Sequence, residues 1–191
     1  MRVMACRRLQ ADNSAMKTAL RYALTYGLLS GFVIIVTMIA GLALGGHDSL
    51  FSSEWFGYLV MLVALTFIFV GVKRYRDVER GGVIRFGAAF AVGLAIATAA
   101  GVAYVAVWEV YLALTDYAFM DQYVAGIMRA RQAEGAAPAA LAQEMAKLES
   151  LRASYANPLF RIPMTFLEIF PVGLLVSLVS ALLLRSSPRS L

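Results

Sequence analysis

Apolar residues run almost unbroken through four stretches of this chain, and polar residues gather in the segments between them. The stretches are 22–44 (YALTYGLLSGFVIIVTMIAGLAL), 55–72 (WFGYLVMLVALTFIFVGV), 86–112 and 162–184. A helix needs about 20 apolar residues to cross a bilayer, so each is long enough, the second at the short end of the range. None alternates with the period of two of a barrel strand, and each is too uniformly apolar for an amphipathic surface helix. The pattern predicts an all-α protein, a four-helix transmembrane bundle.

The connection between the third and fourth stretches has a pattern of its own. It divides at EGAAP into helix-like pieces over about 117–134 and 138–154. In the second piece Leu141, Met145, Leu148 and Leu151 fall on one stripe, and Gln143, Glu144, Lys147 and Arg152 fall largely elsewhere. Tyr117, Met120, Tyr123, Val124, Ile127 and Met128 are spaced similarly in the first. This predicts a helical hairpin over 117–154. Two placements stand open for it: a cap over the mouth of the bundle, or two interfacial helices lying on the headgroups.

Charge orients the spans. The N-terminal arm holds Arg2, Arg7, Arg8, Lys17 and Arg21, and the thirteen residues 73–85 (KRYRDVERGGVIR) hold Lys73, Arg74, Arg76, Arg80 and Arg85. The 45–54 connection has no Lys or Arg, and the forty-nine residues 113–161 have five. The positive-inside bias then puts both termini and the 73–85 turn in the cytoplasm, and the 45–54 and 113–161 connections, hairpin included, outside. The expected location is a bacterial cytoplasmic (inner) membrane. Met16 opens a natural-looking start, so 1–15 is expected as a disordered arm or a start-site extension, 16–186 as one membrane domain, and 187–191 as a tail.

Composition agrees and excludes several chemistries. The chain has 191 residues, 61% hydrophobic and 15% charged, with a mean hydropathy of +0.72. Soluble domains are about half apolar and a quarter charged. The net charge of +5 is concentrated beside the spans, which fits topology rather than nucleic acid. A single cysteine, Cys6, leaves no internal disulfide framework or multi-cysteine metal site, and a single histidine, His47, leaves no His-rich metal site. No cofactor, metal or nucleic-acid partner is expected. No nucleophile elbow, phosphate loop or HExxH occurs.

Three sets of residues stand out. Eleven of the fifteen residues Gly87–Gly101 are Gly, Ala or Thr, and Gly93, Ala97 and Gly101 recur every fourth residue, as do Gly27 and Gly31 in the first span. Small residues let helices approach closely in lipid, either within the bundle or at a seam with a second copy or a membrane partner protein. The basic turn (Lys73, Arg74, Arg76, Arg80, Arg85) carries net +3 after Asp77 and Glu79, with Arg76–Asp77 and Glu79–Arg80 as expected pairs. It reads as a topology anchor, with an anionic-lipid site as the functional alternative. The third set is a candidate polar membrane site of Glu168, Glu109, Pro171 and Arg161. Glu109 lies near the outer end of the third span and Glu168 below the outer entrance of the fourth. Pro171 has no N–H for the Leu167 carbonyl, which leaves that carbonyl near Glu168. The leucines, valines, phenylalanines and isoleucine of 164–184 contribute about −4 to −8 kcal/mol to insertion, against about 2.5 to 3.5 for a central acid. The glutamate is therefore tolerable without any function. Pro163 is expected to begin the helix, with Arg161 in reach of Glu168.

The order LTYGLLSGFV, FIFVGVKRYRD, GGVIRFGAAFAVGL and YANPLFRIPMTFLEIFPVGLLVSLVSALLLR, over about residues 16–186, resembles the bacterial domain-of-unknown-function 4199 family of small four-span membrane proteins. The resemblance implies a membrane-embedded bundle and no particular activity. With lone acids and no nucleophile–base set, the expected role is that of a non-enzymatic accessory, assembly or stress-related membrane component. The alternative is a small oligomeric transporter or channel using Glu168 and Glu109 in an outer vestibule.

Overall fold

A computed structural model of the chain describes residues 2–44 and 54–186. The 45–53 connection, with His47, and the tail 187–191 lie outside the described residues. Among the described residues every regular element is helical: α1 (Arg2–Leu44), α2 (Glu54–Arg74), a π-helical turn (Tyr75–Glu79), α3 (Phe86–Leu114), α4 (Phe119–Ala133), α5 (Pro138–Tyr155) and α6 (Pro158–Leu184). Among the described residues, α1 over Ser14–Thr37, α3 and α6 are long and apolar enough to cross a membrane. The expected span 55–72 falls within α2. Residues 2–15 belong to α1.

The chain forms two compact units, Met1–Tyr104 with Ile169–Leu191, and Val105–Glu168. The core of the first unit is made of Leu65, Ile68 and Val72 of α2, Val92 and Ile96 of α3, and Ile169 and Ala181 of α6. Its buried serines solve their polarity locally. Ser177 and Ser180 donate to the carbonyls of Gly173 and Val176 at 2.7 and 2.6 Å, so hydroxyls sit inside an apolar unit without an orphaned donor. Leu28, Phe32, Val102, Leu175 and Leu183 point outward and are exposed.

Glycines and alanines set the closeness of this packing. A Cβ on Gly27 would stand 2.5 Å from the Ala99 Cβ, and one on Gly31 3.0 Å from the Ala103 Cβ. A Cβ on Gly93 would meet Ser177 at 3.0 Å, and one on Gly173 would meet Ala97 at 3.0 Å. Gly101 is buried as well. Gly27 and Gly31 therefore sit where α1 meets α3, and Gly93 and Ala97 where α3 meets α6.

At the other end of the unit, α2 passes into the π-helical turn and reverses through Gly81 and Gly82, at φ +60° and +85°. That region is sterically open only to glycine at little cost. Ser186 fastens the end of α6 to this reversal: its N–H donates to the Ile84 carbonyl at 3.0 Å, and its hydroxyl donates to the Gly82 carbonyl at 3.2 Å.

The second unit is built from the end of α3, α4, α5 and the start of α6. Gly135, at φ +76°, turns the chain between α4 and α5. The two helices pack together, and Arg152 near the end of α5 pairs with Asp121 in the first turn of α4 at 2.7 Å. Met120, Val124 and Leu148, from the stripes read in the sequence, are buried.

Candidate functional site

The polar centre of the second unit depends on where α6 begins. The helix starts at Pro158, five residues before the expected start at Pro163. Asn157 accepts a hydrogen bond from the Leu159 N–H at 3.0 Å through its side-chain oxygen. It is a helix cap followed by proline at the first helical position, a strong local start signal. In the sequence the long apolar run that follows masks this Asn-Pro pair.

The early start places Arg161 in the first turn of α6, 2% exposed. Its Nε and Nη2 donate to Glu109 Oε1 and Oε2 at 2.7 and 2.6 Å. Its Nη1 donates to the Tyr155 carbonyl at 3.1 Å and, at 3.5 Å, to that of Ala156. Those carbonyls end α5, where a cation complements the negative end of the helix dipole. The guanidinium carbon also lies 5.2 Å from the ring centre of Tyr117 and 5.8 Å from that of Tyr155. This is the two-pronged arginine–carboxylate geometry, held between aromatic faces. Arg161, expected within reach of Glu168, is instead committed to Glu109.

An aromatic cluster adjoins the pair. Trp108 Nε1 donates to the Tyr155 hydroxyl at 2.7 Å. Phe119 meets the Trp108 ring edge-on at 4.8 Å, and Tyr111 stacks on Trp108 at 5.3 Å. Trp108 is buried. Burial pushes the Tyr155 hydroxyl above the ordinary tyrosine range, and the hydrogen bond from Trp108 opposes that shift. Thr165, 1% exposed, has no hydrogen bond of sound geometry at Oγ1, although it lies near enough to the Tyr155 hydroxyl to ease its ionisation. Leading into α4, Asp116 and Tyr117 both adopt left-handed backbone, at φ +52° and +56°.

Glu168 differs from Glu109. It is exposed and makes no hydrogen bond or ion pair among the described residues. Pro171 lies in α6, which continues through it without a break. The two acids, expected to share a vestibule, thus have different surroundings: Glu109 is bound to arginine, and Glu168 has no ion pair among the described residues.

In the first unit the basic turn also pairs differently from its sequence order. Arg76 Nε donates to Asp77 at 2.7 Å, as expected, and holds the Asp77 carboxyl below the usual carboxylate range. Glu79 does not pair with Arg80. It accepts the Tyr22 hydroxyl at 3.1 Å, while Arg80 donates to the buried Tyr75 hydroxyl at 3.1 and 3.3 Å. The π-helical turn changes the angular step between residues, so neighbours in sequence no longer predict the partner. Lys73, Arg74 and Arg85 are exposed. Among the described residues no group of three or more His, Cys, Asp or Glu side chains could hold a metal ion.

The family described as "Protein of unknown function (DUF4199)" matches residues 21–186, and the chain belongs to it. No curated protein and no solved structure matches.

Proposed function

We propose that this member of the DUF4199 family is a four-span protein of a bacterial cytoplasmic membrane, serving as a non-enzymatic accessory, assembly or stress-related component. Both termini and the 73–85 turn face the cytoplasm, and α4 and α5 form a hairpin outside. The apolar lengths of α1, α3 and α6, the outward Leu28, Phe32 and Leu183, and the clustering of Lys and Arg support this placement. α2 supplies the remaining span.

The observation that carries the non-enzymatic reading is the closed Arg161–Glu109 pair. Its carboxylate oxygens both accept from arginine, and the arginine is further held by α5 carbonyls. A group so fully engaged serves as a rivet between α3, α5 and α6, and offers little to a substrate. One observation favours the second reading, an oligomeric transporter or channel: Glu168 is an unpaired acid in an apolar helix, and such residues mark ion and proton paths.

Reconstituted proteoliposomes separate the two. The accessory reading expects proton and monovalent-cation flux no greater than through empty vesicles. Flux that Glu168→Gln abolishes overturns it. Topology is tested in a Cys6→Ser background, where a cysteine at His47 should react with an impermeant thiol reagent from outside and one at Val83 only after lysis.

A further inference from the structure

A cavity of about 440 Å³ opens in the first unit between α1 and the end of α2, lined by Arg21, Tyr22, Thr25 and Tyr26 on one side and Arg74 and Glu79 on the other. The α1 residues follow from helical spacing: Arg21, Thr25 and Leu29 are four apart on one face, with Tyr22 and Tyr26 beside them. Arg74 ends α2, and the π-helical turn brings Glu79 to the same cavity.

Its charges are incompletely used. Arg21 and Arg74 make no hydrogen bond or ion pair among the described residues. Glu79 accepts the Tyr22 hydroxyl through one oxygen, and its other oxygen has no partner there. Two unpaired guanidinium groups and a half-satisfied carboxylate share one recess, yet the acid and the arginines do not join each other. Such a lining complements a ligand that carries an anion and a cation together. The other basic residues of the turn, Lys73, Arg76, Arg80 and Arg85, do not line it, and Arg76 is held by Asp77 and Arg80 by Tyr75. The apolar Leu29 and Val78 also line the recess, and both are exposed.

We infer that this recess binds a phosphoethanolamine headgroup of a membrane lipid, with the phosphodiester on Arg21 and Arg74 and the ammonium on the free oxygen of Glu79. Guanidinium groups match phosphate oxygens in two-point geometry, and a primary ammonium donates to a carboxylate, which a quaternary choline lacks the N–H to do. Glu79 repels a headgroup whose net charge is negative, so a purely anionic lipid fits less well. The acyl chains leave along Leu29, two turns further into the span than Arg21. The inference rests on the membrane placement proposed above.

The test uses the purified full chain in detergent, titrated with short-chain phosphatidylethanolamine, phosphatidylcholine and phosphatidylglycerol and read by native mass spectrometry. Phosphatidylethanolamine should bind about tenfold more tightly than phosphatidylcholine, the ratio expected for one charge-assisted hydrogen bond. Glu79→Gln should erase that difference, while Arg21→Gln and Arg74→Gln weaken all three lipids. Arg74→Lys should retain part of the binding, which separates lost recognition from lost folding. Equal binding of the ethanolamine and choline lipids, or tighter binding of phosphatidylglycerol, overturns the assignment. So does displacement by free O-phosphoethanolamine at the same concentration as the lipid, because the apolar wall then contributes nothing. Release of the chain from membranes by alkaline carbonate would instead overturn the membrane placement itself.

Discussion

Arg161 and Glu109, 52 residues apart in sequence, close a two-point ion pair at 2.7 and 2.6 Å with the arginine almost wholly buried. Removing one partner strands the other. Glu109→Gln or Arg161→Met should each lower stability in detergent by about 3–5 kcal/mol, because an uncompensated buried charge or an unfilled acceptor remains. The double variant Glu109→Gln/Arg161→Met should cost much less than the two single costs together. Thermal unfolding followed by circular dichroism measures this cycle. Effects that add within about 0.5 kcal/mol would show that the pair is not coupled.

Tyr155 provides a pH signature in the same unit. Burial raises its hydroxyl above the ordinary tyrosine range, so the folded state holds the proton more tightly than the unfolded state. Its contribution to stability is complete below the unfolded value of about 10 and is lost as pH rises through the higher folded value. Tyr155→Phe should remove that alkaline loss, and at neutral pH should cost about 1–3 kcal/mol by leaving the Trp108 N–H unpaired. Stability measured against pH for both proteins, with tyrosinate absorbance alongside, is the check. Identical alkaline limbs would refute the assignment.

The elements that repeat in sequence were the legible ones. Long apolar runs mark α1, α2, α3 and α6, and the fourfold spacing of Gly93 and Ala97 identifies packing surfaces, since each depends on helical periodicity alone. Glu109, Glu168 and Arg161 were also legible as costly residues in apolar surroundings. Their partners were not. Arg161 turns to Glu109 because α6 starts at Asn157-Pro158, and the apolar pattern around Ile162 hides that start. Glu79 finds Tyr22 because a π-helical turn shifts its direction. Tyr155 and Trp108, 47 residues apart, meet across two connections, a contact with no local signal.

Glycine positions separate tight packing from open helix surface. A methyl group on Gly27 would stand 2.5 Å from the Ala99 Cβ and 3.0 Å from the Ala100 backbone nitrogen, so α1 and α3 must part to admit it. Gly27→Ala should destabilise by about 1–3 kcal/mol. Gly126, inside α4 and outside the spans, has nothing within 4 Å of such a methyl. Gly126→Ala should therefore stabilise by about 0.5–1 kcal/mol through helix propensity. Opposite shifts in melting temperature are expected, and equal shifts would contradict the packing described.

The turn from α3 into α4 holds two successive non-glycine residues in left-handed backbone, Asp116 and Tyr117. Such residues cost of order 1–3 kcal/mol and persist only where the surroundings impose them. Here Arg161 lies against the Tyr117 ring, 5.2 Å from its centre, and the Tyr117 N–H donates to the Leu112 carbonyl at 2.8 Å. Asp116 is exposed. Asp116→Gly should therefore release strain and stabilise by about 1 kcal/mol. Tyr117→Gly releases a similar strain but removes the ring beside the guanidinium, so its net effect should be less stabilising, or destabilising. The same order should hold in a Glu109→Gln background, with a larger loss from Tyr117→Gly, because the ring is then a larger share of what holds the charge. A Tyr117→Gly variant as stable as Asp116→Gly in both backgrounds would mean that the ring contributes nothing to seating Arg161.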